Sequence, residues 1–137
     1  MKTKTMPKIS KFMTASPHTI GNDIPLKKAL EVMRTNGIRH LPVQAGGHLV
    51  GMITDRDIKL ASSFQGAAEL KVDDVMSPDP YTVSPDAALD QVVEVMAERK
   101  YGSAVVYQEN GKVVGIFTAV DGLRVLADIL RRNYRWE

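Results

Sequence analysis

Apolar positions along the chain change their period in a set order, and the order is run through twice. A short extended piece comes first, "HTI" at 18–20 and "YTV" at 81–83. Apolar residues then recur at Leu26, Ala29, Leu30 and Met33, and again at Leu89, Val92, Val93 and Met96. Steps of three and four place them on one face, so each set predicts an amphipathic helix. The methionines in it are expected as core filler. Asp23 and Asp86 precede the helices and are expected as N-caps, their carboxylates accepting free backbone N–H groups. Pro25 falls in the first turn, where a missing N–H does no harm. Two apolar runs with a turn between them follow each helix: "HLPV" and "LVGMIT" about Gly46 and Gly47, then "SAVVY" and "VVGIFT" about Asn110-Gly111. That is hairpin patterning. Pro42 in the first run implies a strand position with no N–H to give, at an edge or beside a ligand. A closing helix is expected from Arg56 to about Ser62, and its counterpart from Val120 to about Arg132.

The unit is therefore β-α-β-β-α, used in tandem, which makes an α+β fold. Aligning Met13 with Met76 also pairs Pro17 with Pro80, Thr19 with Thr82, Asp23 with Asp86 and Met33 with Met96. After one extra residue in the second turn, Val50 pairs with Val114, Gly51 with Gly115, Thr54 with Thr118 and Asp57 with Asp121. Two copies of about sixty residues fill nearly the whole chain. The expected boundaries are a tail at 1–8, one unit at 9–61, a linker at 62–71, a second unit at 72–130 and a basic, aromatic tail at 131–137. The last helix carries one apolar face of Leu123, Leu126, Ala127 and Leu130 and another of Val125 and Ile129. A helix apolar on two sides needs two partners. Either both copies bury it together or the chain self-associates through it.

Composition narrows the class. A chain of 137 residues, 44% apolar and 25% charged, suits one compact domain or two small lobes. No apolar run approaches the roughly 18 residues of a membrane span. The opening "MKTKTMPKIS" has lysines with no apolar stretch behind them, unlike a signal peptide, and a cytoplasmic location is expected. Without cysteine there is no disulfide, thiolate nucleophile or cysteine-bound metal. The net charge of +2 is small, and Arg131, Arg132 and Arg135 in "RRNYRWE" form an isolated basic cluster, read as a solvated helix end. A nucleic-acid interface would need a larger patch.

The candidate chemistry lies in one motif stated twice, "GMITDRDI" and "GIFTAVDG". Thr54 and Asp57, like Thr118 and Asp121, stand at the start of a closing helix. A threonine hydroxyl can donate to a phosphate or a ribose oxygen, and an aspartate can accept from both hydroxyls of a ribose diol. Free N–H groups at a helix start favour anions. The competing reading is structural: threonine N-caps and first-turn acids. Arg56, present only in the first copy, could grip phosphate with a forked contact; the second copy would draw on Arg99, Lys100 or Arg124. Catalysis is not expected. There is no G-x-S-x-G, no Walker loop and no H-x-x-x-H among His18, His40 and His48, and no metal site is expected.

Taken together, "MTASPHTI" with "MSPDPYTV", "GIRHLPV", and the two G-h-x-T-x-x-D turns resemble a CBS (cystathionine-beta-synthase) domain pair, or Bateman module, over roughly Ile9 to Leu130. The resemblance implies pseudo-symmetric units packed through their sheets, with two clefts for adenine nucleotides or related adenosyl ligands: AMP, ADP, ATP or S-adenosylmethionine. It also implies pairing into homodimers, and regulation rather than catalysis, acting on another protein or through self-association. No cofactor is required under this reading. The matching site positions are Thr54, Asp57, Thr118 and Asp121 for the sugar. His18, Ile20, Ile38, Arg39, His40, Leu41 and Pro42 line the base slot of the first copy, and Tyr81, Val83, Tyr101, Gly102, Ser103, Ala104 and Val105 that of the second. Tyr81 and Tyr101 could stack on a base, or on ordinary neighbours. A nucleic-acid-binding protein and a structural dimer with empty clefts are the alternatives.

Overall fold

The computed structural model describes residues 4–137. Short strands β1 (Thr14–Ala15) and β2 (Ile20–Gly21) lead to helix α1 (Leu26–Asn36). The hairpin β3 (His40–Ala45) and β4 (His48–Thr54) runs into α2 (Asp55–Ala61). A short α3 (Val72–Val75) then opens the second copy: β5 (Ser77–Pro78), β6 (Thr82–Val83), α4 (Leu89–Arg99), β7 (Ser103–Tyr107), β8 (Val113–Thr118) and α5 (Ala119–Asn133).

These elements form two four-stranded mixed sheets, ordered β2-β3-β4-β5 and β1-β8-β7-β6. The copies in sequence and the compact units in space are cut at different places. One unit is Pro17–Pro80; the other joins the described residues up to Ser16 to Tyr81–Glu137. Each copy therefore lends its leading strand to the other's sheet. β5 pairs antiparallel with β4, and β1 with β8. Residues 9–16, expected in the first unit, lie with the second, and 77–80 with the first.

This exchange explains the motif glycines. A Cβ on Gly51 would sit 2.6 Å from Met76 Sδ and 2.8 Å from the Ser77 carbonyl oxygen; on Gly115 it would run into the Met13 side chain. Met13 and Met76 are repeat partners, so the same close crossing is made twice.

Each unit has its own core. In the first, Leu26, Ala29 and Met33 of α1 close over Leu41, Val43 and Ile53, with Ile58 of α2. In the second, Leu89, Val92 and Met96 of α4 cover Ala104, Val106 and Phe117, with Ile9 from the exchanged segment. Val93, expected on that helical face, lies at its exposed margin.

Two sequence expectations need correction. Asp23 and Asp86 do not cap the helices: the N-cap positions are Pro25 and Ala88, without side-chain caps. Backbone carbonyls from segments distant in sequence do that work instead, the Leu70 carbonyl accepting from Leu26 N–H at 3.0 Å and the Pro7 carbonyl from Leu89 N–H at 2.9 Å. Asp86 instead pairs with Lys8 at 3.2 Å. Pro42, secondly, is not on an edge strand, since β3 is interior. β2 begins to pair only at Val43, one residue on. At the matching place in the second copy, Val105 N–H donates to the Tyr81 carbonyl at 2.8 Å; Pro42 has no hydrogen to give, so that rung is missing.

Candidate functional site

Antiparallel register brings the motif to the mouth of each hairpin. His40 lies opposite Thr54 in one sheet and Ser103 opposite Thr118 in the other. The first helical amide is satisfied across this mouth: Asp55 N–H donates to the Arg39 carbonyl at 3.1 Å and Ala119 N–H to the Gly102 carbonyl at 3.0 Å. The start of β3 or β7 and the start of the closing helix are thus tied together, with residues 38–40 and 54–57 at one end of the first sheet and 101–103 and 118–121 at one end of the second.

Threonine and aspartate form a capping box in both units. Thr54 N–H donates to Asp57 Oδ2 at 3.0 Å and Asp57 N–H donates to Thr54 Oγ1 at 3.2 Å. In the second unit Thr118 N–H donates to Asp121 Oδ2 at 2.8 Å and Asp121 N–H to Thr118 Oγ1 at 3.3 Å. The spacing of three is what a capping box requires, so the structural reading of the motif is satisfied in full. The box uses one carboxylate oxygen of each aspartate, and all four side chains stay partly exposed. Capping by itself occupies neither Asp57 Oδ1 nor Asp121 Oδ1.

The remaining sequence candidates divide by strand alternation. Ile20, Leu41 and Ala104 point into the unit cores and are buried. Val83 packs against the second core from its edge. Pro42 and Val105, on the opposite faces of β3 and β7, are also buried. His18, Arg39, Arg56 and Gly102 are exposed, while Ile38, His40 and Ser103 are half-buried. Tyr81 and Tyr101 stack on each other, ring centroids 5.2 Å apart at 30°. Burial holds the Tyr81 hydroxyl above its ordinary value of 10.0, and Tyr101 beside it adds to the shift.

Of the second copy's candidate cations, Arg124 reaches the motif, its guanidinium 3.9 Å from Asp121 Oδ1. Sequence spacing alone had left Arg124 level with Arg99 and Lys100. The i, i+3 relation to Asp121 on a helix was the available signal. A concavity of about 600 Å³ runs along α5 beside this pair, lined also by Phe12, Val125, Asp128 and Arg131. Among the described residues, no group of three or more His, Cys, Asp or Glu is placed to hold a metal ion. No helix among them is long and apolar enough to cross a membrane.

The comparisons agree with this architecture. The CBS domain model matches twice, at residues 9–63 and 72–128. An inosine-5'-monophosphate dehydrogenase of Korarchaeum cryptofilum is 32% identical over 86% of the chain, but the chain spans only 24% of that enzyme's length. Among solved structures, the CBS domain pair of protein MJ0100, in complex with 5'-methylthioadenosine and S-adenosyl-L-methionine, is 26% identical with a TM-score of 0.82, covering 91% of this chain and 99% of that one. The structure of CBSX2 in complex with AMP is 27% identical with a TM-score of 0.74, covering 89% and 97%. With both copies matched, the chain belongs to the CBS domain family as a tandem pair of CBS units.

Proposed function

We propose that the chain is a regulatory module that binds an adenosyl ligand and signals through self-association or a partner protein, without catalysing a reaction. One observation carries the reading: two solved neighbours spanning nearly their whole length with this fold hold adenosyl compounds, AMP in one case and S-adenosyl-L-methionine with 5'-methylthioadenosine in the other. The side chains here suit the same chemistry. The carboxylate of Asp57 or Asp121 accepts from a ribose diol, the threonine hydroxyl donates to a sugar or phosphate oxygen, and Arg56 lies exposed two positions into α2 for a phosphate. AMP, ADP, ATP and S-adenosylmethionine are the ligands to try.

The output surface is α5. No residue of this helix is fully buried, and Val120, Leu123, Leu126, Ile129 and Leu130 are each 46% to 64% exposed. Val125 alone of its large apolar residues packs on the core. Such a stripe fits a symmetric homodimer. A ligand that favours one arrangement of the paired chains shifts the population towards it.

A thermal-shift series with AMP, ATP and S-adenosylmethionine tests the proposal. Ligand at one hundred times its Kd adds about 2.7 kcal/mol of stability, on the order of 10 °C for a chain of this size. Absence of any shift at millimolar ligand would overturn it. A shift with single-stranded or duplex nucleic acid that collapses steeply with salt would favour the nucleic-acid alternative instead.

A further inference from the structure

The repeat invites the assumption of two equal receptors, and the side chains argue otherwise. In the second unit the Thr118 hydroxyl donates to Asp121 Oδ2 at 3.1 Å, in addition to the capping box. Asp121 Oδ1 faces Arg124. Both groups that would hold a sugar are therefore already engaged within the protein. In the first unit, among the described residues, Thr54 and Asp57 make the capping box without the extra hydroxyl donation, and the residue matching Arg124 is Leu60, which brings no cation to Asp57 Oδ1.

A third difference comes from the backbone. The Tyr81 carbonyl accepts from Val105 N–H, whereas at the matching place in the first unit Pro42 has no N–H to offer the His18 carbonyl. A carbonyl without that donor suits the exocyclic amine of an adenine. The fourth difference is aromatic. Tyr81 and Tyr101 stand where His18 and Ile38 stand in the first unit, and at 5.2 Å their rings leave no gap for a base, which would need the centroids about 7 Å apart.

We propose that each chain takes one adenosyl ligand, held by Thr54 and Asp57, and that Thr118, Asp121, Arg124 and the tyrosine pair form a self-closed copy of the site. This rests on the adenosyl-binding reading above. The exposed Arg124 pair is weak by itself; closure comes from its combination with the Thr118 hydroxyl and the stacked rings.

Calorimetric titration of the full chain with AMP, and separately with S-adenosyl-L-methionine, reads the stoichiometry. One site per chain is expected. Asp57→Asn keeps an oxygen to accept the Thr54 N–H, so the helix cap persists while the anionic diol acceptor is lost, and at least a tenfold loss of affinity is expected. Two sites per chain would overturn the proposal and leave the adenosyl reading intact. So would a single site whose affinity survives Asp57→Asn. No binding of either probe would overturn the adenosyl reading itself, and this inference with it.

Discussion

Replacing Gly51 with alanine should destabilise the protein more than the same change at Gly115, although the two occupy the same motif position. A Cβ on Gly51 would meet Met76 Sδ at 2.6 Å and the Ser77 carbonyl oxygen at 2.8 Å, where about 3.5 to 4.0 Å is comfortable. The methionine sulfur can swing aside. The carbonyl cannot, because β5 is two residues long and pairs through Gly51 with Pro78 and Met52 with Ser77. Overpacking costs about 1–3 kcal/mol, and disturbing a rung or two of the ladder adds about 1 kcal/mol each. A loss of about 2–5 kcal/mol is expected for Gly51→Ala. The contacts nearest a Cβ on Gly115 all belong to the Met13 side chain, so a loss of about 1–2 kcal/mol is expected there, partly recovered in the double variant with Met13→Ala. Urea denaturation followed by circular dichroism, read as the change in midpoint multiplied by the slope, measures both. A Gly51→Ala variant within 0.5 kcal/mol of the parent, or one more stable than Gly115→Ala, would refute the steric reading of the motif glycine.

Three further outcomes are expected. Lys100 ends α4 in the left-handed conformation, φ 59°, where its counterpart Gly37 has φ 62°; Lys100→Gly should raise stability by about 0.5–1 kcal/mol, measured by the same denaturation. The folded state holds Tyr81 neutral above its ordinary 10.0, so this contribution to stability is complete below pH 10 and is lost as the pH rises through the folded-state value. Tyr81→Phe should flatten the alkaline fall in melting temperature, and an unchanged profile would contradict the assignment. Leu126→Glu, in the exposed stripe of α5, should shift the sedimentation coefficient towards that of a single chain; a parent protein that already sediments as one chain would remove the dimer proposal.

The period of the apolar residues was enough to place both long helices, both hairpins and both closing helices, because each depends on neighbours a few residues away. The exchange of leading strands was not legible. A two-residue strand such as Thr14–Ala15 carries no periodicity, and its pairing with Ile116 and Gly115 depends on residues a hundred positions on. The same exchange defeated the caps: an aspartate before a helix is a good local signal, but here the carbonyls of Leu70 and Pro7 arrive first. At the candidate site the recurrence of Thr54 with Asp57 and Thr118 with Asp121 was plain in the sequence. That the copies differ was legible in part, since Arg56 stands in the first motif only; the donation of the Thr118 hydroxyl and the approach of Arg124 to Asp121 were not, being matters of rotamer. The stacking of Tyr81 on Tyr101 was likewise hidden, because twenty residues separate two rings that only the β6–β7 pairing brings together.

Asp57 and Thr54 as the grip on a ribose is the claim from which the rest follows. Crystallising the protein with AMP, and in a parallel drop with S-adenosyl-L-methionine, tests it most directly. The ribose hydroxyls should lie within hydrogen-bond distance of the Asp57 carboxylate, with the Asp121–Arg124 contact undisturbed. A ligand seated away from Asp57, or none at saturating concentration, would contradict it.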